Sequence, residues 1–138
     1  MAVQIKTTGV CSDCGNDSNM TVAQTVINGT LKWYKSYSCQ SCGAAEEIDG
    51  TGFPPEEIRD KILENEGRWK ILFLHQKMNK AAAMKVLRGL LNLSLAETKQ
   101  MLDRLPPEPL SQGTKTEMLW IKGHLEHAGV QVEVQPAD

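Results

Sequence analysis

Apolar and polar positions change their rhythm three times along the 138 residues. Met20-Thr21-Val22-Ala23-Gln24-Thr25-Val26-Ile27 is rich in β-formers, and so is the run from Thr30 to Ser38. Asn28-Gly29 separates them, and Asn-Gly between two such runs predicts a hairpin. Thr51-Gly52-Phe53-Pro54-Pro55 breaks the pattern. Pro55 followed by Glu56-Glu57 predicts a helix start, with carboxylates at the positive dipole end. Ile58, Ile62 and Leu63 give that short helix one apolar stripe, and Gly67 caps it. Trp69 to Leu74 reads as a buried strand. Lys80 to Leu91 reads as a helix with Ala81, Met84, Val86, Leu87 and Leu91 apolar. Ser94 and Glu97 form a capping box that opens a second helix, Leu95 to Leu102. Pro106, Pro107 and Pro109 predict an extended segment. Thr116 to His127 is a third helix, ended by Gly129. Val130, Val132 and Val134 then alternate with polar residues, as in a half-buried strand. The fold class is α+β. Residues 1–50 form a small β domain, 51–68 a linker with a short amphipathic helix, and 69–138 a β-α-α-β-α-β domain.

Composition narrows the function. With 41% apolar residues, 23% charged residues and a net charge of −2, bulk disorder is excluded. The near-neutral balance argues against a general binder of nucleic acid or membrane surface. No apolar run approaches the roughly 18–20 residues of a membrane span. Met1 to Lys6 lacks a charged region followed by an apolar one, so we expect a cytoplasmic protein whose cysteines stay reduced.

All four cysteines lie in the first stretch, as Cys11-Ser12-Asp13-Cys14-Gly15 and Cys39-Gln40-Ser41-Cys42-Gly43. Each C-x-x-C spacing lets one tight turn aim two thiolates at one point, and each glycine permits a left-handed backbone behind them. The hairpin returns the second turn to the first. Four sulfurs suit one zinc ion, with no open position for catalysis, so the metal is expected to be structural, one Zn2+ per chain on Cys11, Cys14, Cys39 and Cys42. Fifty residues with few aromatics need such help. Two separate redox dithiols would want a helix N-terminus after each motif inside a βαβ pattern, and none is apparent. The stretch resembles a zinc ribbon. Its three lysines against five carboxylates leave it at −2, which disfavours nucleic acid. Trp33, Tyr34 and Tyr37 are candidates for a base-stacking platform, but such residues more often cover a small hairpin, and that is the reading we expect. Glu46, Glu47 and Asp49 read as an acidic loop edge, and Asp49-Gly50-Thr51-Gly52 as a glycine-rich turn.

Further on, the residues Asn79-Lys80, Met84-Lys85-Val86-Leu87-Arg88-Gly89, Leu93-Ser94-Leu95-Ala96-Glu97-Thr98-Lys99 and Leu125 to Val134 form a second constellation. Through them, Trp69 to Val134 resembles the C-terminal domain of the bacterial ribosomal stalk protein, the domain that recruits translational GTPases. The resemblance implies three helices on one three-stranded antiparallel sheet. It also implies a GTPase-contacting surface on the first two helices, with basic residues at Lys80, Lys85, Arg88 and Lys99 and apolar contacts at Ala81 and Met84. Independently of the resemblance, residues 79–99 hold four cations against Glu97 alone. Lys80, Met84, Lys85 and Arg88 fall near one helical face, which suits an acidic partner. Asn92 and Ser94 stand where the family has glycines, so the turn there is expected to be less free. The stalk protein's dimerisation region and alanine-rich linker are replaced by the cysteine stretch.

No Ser/His/Asp set, phosphate-binding glycine loop or nucleophile elbow is present, and no catalysis is expected. His124 and His127, three apart, read as a surface pair, and His75 stands alone. Three functions compete. The first is a protein-interaction module docking a partner such as a translation factor through the basic face. The second is an immunity protein neutralising a bacterial toxin domain, suggested by the acidic patches around 46–66. The third is a nucleic-acid-binding ribbon.

Overall fold

The computed structural model describes residues 2–73, 79–103 and 110–137. Leu74, His75, Pro106, Pro107 and Pro109 lie outside them. The chain divides into two units, one ending at Glu66 and the other beginning at Gly67. Each is an antiparallel sheet with helical cover, and together they hold four helices and two sheets among the described residues.

The first unit is a four-stranded meander, β1 (Ala2–Val10), β2 (Asp17–Ile27), β3 (Thr30–Ser38) and β4 (Ala45–Thr51), in that spatial order. Asn28 and Gly29 both take positive φ, 51° and 76°, in the two-residue turn that joins β2 to β3. Helix α1 (Glu56–Glu66) packs over β1 and β2. Its Ile58 and Ile62 close a core with Ile5, Met20 and Val22, and Val3, Trp33 and Tyr37 pack around it. The short helix therefore belongs to the first unit. Lys35 on β3 reaches both carboxylate oxygens of Glu57 at 3.3 Å and fastens the other flank of α1.

The strands correct three readings of the sequence. Glu46, Glu47 and Asp49 sit in β4, paired with Tyr37, Ser36 and Tyr34 of β3, not in a loop. Of the glycine-rich turn only Gly52 has a positive φ, 83°. Trp33 and Tyr37 share the α1 face, whereas Tyr34 points to the opposite face, as the period of two requires. The three aromatics form no common platform.

The second unit contains β5 (Trp69–Phe73), α2 (Lys80–Leu91), α3 (Leu95–Asp103), β6 (Ser111–Gly113), α4 (Lys115–His127) and β7 (Val132–Pro136). Its sheet order is β6-β5-β7, antiparallel throughout. Ile71, Leu87, Leu102, Met118, Ile121 and Leu125 are its buried centre. Thr114 and Glu117 start α4 with a reciprocal capping box at 3.1 Å in both directions, and both side chains are fully buried. His124 stacks edge-on to Trp120, ring centroids 6.0 Å apart. His127 is exposed.

Candidate functional site

The two cysteine turns have nearly the same local geometry. In the first, the Cys11 amide donates to Asn16 at 2.8 Å and the Gly15 amide to Cys11 at 2.9 Å. In the second, Cys39 donates to Ala44 and Gly43 to Cys39, both at 2.8 Å. Gly15 and Gly43 take φ of 76° and 78°, a conformation an L side chain would strain. The β2–β3 hairpin brings the turns to the same end of the sheet.

All four sulfurs lie within 4.8 Å of one another, close enough to hold one metal ion. Cys14 Sγ is 3.5 Å from Cys39 Sγ, and Cys11 Sγ is 3.7 Å from Cys42 Sγ. Four thiolates bonded to zinc at ~2.3 Å stand about 3.8 Å apart at the corners of a tetrahedron, so the donor set fits that ion. Cys11 and Cys39 are buried and Cys14 and Cys42 exposed. The Cys42 amide outweighs burial at Cys39 and, helped by Cys14 and the Ser41 amide, brings that thiol down to about 7. At Cys42 the Ala44 amide pulls downward, but Cys14, burial, Cys11 and Cys39 together push the thiol up to about 12. One sulfur ionises early and its neighbour is held back, as expected of anions crowded together. A divalent cation removes that repulsion. The Tyr37 hydroxyl lies 3.0 Å from Ser12 Oγ and 3.4 Å from Glu46 Oε2, so it pins the first turn to β3 and β4. Cysteine spacing carries no signal for that tie.

In the second unit, Asn79 caps α2 by accepting the Ala82 amide at 3.1 Å. Asn92 ends α2 with φ 54°. It supplies the left-handed turn for which a glycine is usual, so the junction to α3 turns without one. Ser94 then caps α3. Its hydroxyl accepts the Glu97 amide at 3.1 Å, and Glu97 accepts the Ser94 amide at 3.0 Å. The Ser94 amide first, and its hydroxyl second, hold the Glu97 carboxyl below its ordinary value.

Lys80, Ala81, Lys85, Arg88 and Lys99 are all exposed and Met84 is half-buried. Ala81, Met84, Lys85 and Arg88 come together with Leu95 around an open depression of about 350 Å³. Lys80 at the start of α2 and Lys99 one turn beyond Leu95 lie outside its lining. Leu95 is 56% exposed and completes the apolar floor. Helical spacing puts it on the same stripe as Thr98 and Leu102, so by pattern it reads as core. It protrudes because α3 begins there.

Residues 70–135 match the family model of the ribosomal protein L7/L12 C-terminal domain. The second unit is similar to that L7/L12 domain. Large ribosomal subunit protein bL12 of Alkalilimnicola ehrlichii is 41% identical over 58 residues, which cover 41% of this chain and 46% of that protein. The bL12 protein of Aliivibrio fischeri is 43% identical over 58 residues, 41% of this chain and 47% of its own length. The chain thus spans about half the length of the curated relatives it matches. The L7/L12 match includes the α2–α3 face and leaves the cysteine unit outside it.

Proposed function

We propose that this chain is a cytoplasmic, non-enzymatic docking protein. One structural zinc on Cys11, Cys14, Cys39 and Cys42 holds its first unit as a zinc ribbon. Its second unit grips an acidic protein surface, that of a translation factor of the GTPase class. The observation that carries the reading is the apolar floor of Ala81, Met84 and Leu95 edged by Lys85 and Arg88. An exposed leucine beside two cations suits a partner with an apolar knob ringed by carboxylates. Lys80 and Lys99 extend the cationic field and speed the encounter. The similarity to L7/L12 supports the choice of partner class.

The test is calorimetric titration of the full chain with purified translational GTPases. Lys85→Glu with Arg88→Glu places like charges in the interface and is expected to weaken binding about 100-fold or more. Binding unchanged by the double substitution overturns the docking face.

A second reading has its own support. Residues 46–66 carry eight carboxylates against Arg59 and Lys61, all on β4, α1 and the segment between them. An immunity protein facing a basic toxin domain needs such a surface. Co-purification as a 1:1 complex with a toxin domain, insensitive to the Lys85 and Arg88 substitutions, would favour it.

A further inference from the structure

The first unit has two sheet edges, and they are built differently. Strand β4 pairs with β3, and its other side carries the outer edge. It is only seven residues long and holds Glu46, Glu47 and Asp49, charges that keep an edge from adding strands. Strand β1 is nine residues long, has Lys6 as its single charge and contains no proline. Among the described residues it pairs with β2 alone.

The ladder says which backbone groups of β1 face outward. Cys11 donates to Asn16, and the β1–β2 register continues without a bulge to Ala2 opposite Thr25. Odd-numbered residues of β1 therefore exchange bonds with β2, and the amides of Gln4, Lys6 and Thr8 point away from the sheet. A strand of this length offers about 30 Å of such edge.

We infer that β1 is the pairing edge of a two-fold dimer, joined antiparallel to β1 of a second copy. The choice of occupant rests on charge and closure. Joining β4 to β4 brings six carboxylates together. Joining β1 to β4 is head-to-tail, which gives a larger ring or an open filament and never a two-fold dimer. Of the three, only β1 against β1 closes as a two-fold dimer without setting carboxylates strand to strand, since each β1 carries Lys6 alone. Centring the two-fold axis on Ile5 sets Lys6 opposite Gln4 of the second copy and keeps the two lysines apart.

Helix α1 adds to the same interface. Its Glu57 flank faces β3 through Lys35. Helical spacing puts Arg59, Leu63 and Glu66 on the opposite flank, toward the β1 edge. Strands ~4.8 Å apart bring the two α1 helices to about 10 Å, the ordinary helix-packing distance. The two Leu63 side chains, half-buried in one copy, then meet.

Sedimentation equilibrium of the full chain from about 1 to about 300 µM tests the inference, because mass action makes dimer content rise with concentration. A reversible monomer–dimer equilibrium is expected. Gln4→Pro removes an outward donor and leaves the β2 ladder intact, and is expected to raise the dimer dissociation constant about tenfold or more. Should that variant fail to fold, hydrogen exchange of the wild-type chain decides. The Gln4, Lys6 and Thr8 amides are then expected to exchange more slowly at high concentration than at low. A chain monomeric throughout the range, a dimer indifferent to Gln4→Pro, or concentration-independent exchange at those amides overturns the inference.

Discussion

The two units are similar in size and differ in what holds them and in what they present. Residues 1–66 carry five cations against ten carboxylates, and residues 67–138 carry ten against seven. The first unit has a five-residue core on one side of its sheet, and its four cysteines gather at one end. The second has a larger buried centre drawn from three helices and a sheet, with both ends of its packing secured by caps. A sheet with one thin helical cover buries little apolar surface, and on the proposed reading metal ligation by the four cysteines substitutes for packing. A unit that packs well can instead leave Leu95 and four cations in solvent.

Metal removal is the most severe test of that contrast. Structural zinc contributes on the order of 10 kcal/mol in small domains. Stripping it with a chelator is expected to expose the amides of β2 and β3 to hydrogen exchange while those of α4 stay protected. Loss of α4 protection, or retained protection in β2 and β3, would break the comparison. Replacing Cys11 or Cys39, the buried pair, with Ser should reproduce the chelator's effect.

How much of this could be read from residue order also differs between the units. Asn28-Gly29 marks the β2–β3 turn because two positive φ values in succession admit few other pairs. The cysteine spacing marks both turns because their geometry is local. The outer strands give no such signal. After Val3 and Ile5, β1 runs into Thr7 and Gly9 on the core face, and β4 offers only Ile48 there, itself exposed, between Glu46 and Gly50. Those segments are strands because neighbouring strands supply their hydrogen bonds, and no pattern of their own announces it. In the second unit the helices were legible through Ser94, Glu97 and the apolar periods. The three-residue β6 is too short to show a period. The apolar floor of the depression was legible at Ala81 and Met84 and not at Leu95, whose exposure depends on where α3 begins.

Gly50 sharpens the contrast at intermediate size. A Cβ there would stand 2.5 Å from the Trp33 ring, which lies over β4 at that point. Gly50→Ala forces the indole outward and is expected to cost the first unit about 1–3 kcal/mol, the usual range for overpacking. Metal stoichiometry should remain one per chain and the second unit's melting should not move. A variant as stable as the parent would mean that ligation alone holds the first unit and that Trp33 adds nothing.

The smallest expected effect lies at Glu97, and its sign is fixed by the direction of its shift. Its carboxyl ionises below its ordinary 4.5 because the ionised form accepts the Ser94 amide and hydroxyl contacts at the start of α3. The group therefore binds its proton less readily folded than unfolded. Its contribution is complete above the unfolded value and disappears as pH falls through the lowered folded one. Acidification through that window is expected to loosen the first turn of α3, read as faster exchange at the Glu97 and Thr98 amides, and with it the setting of Leu95. Ser94→Ala removes the cause and should return the Glu97 titration to its ordinary position. Glu97 and Ser94 lie in the second unit, so the β2 amides of the first should not respond to that titration. If the Glu97 titration stayed low in Ser94→Ala, the capping box would not be its origin, and any pH sensitivity of the α2–α3 turn would need another group.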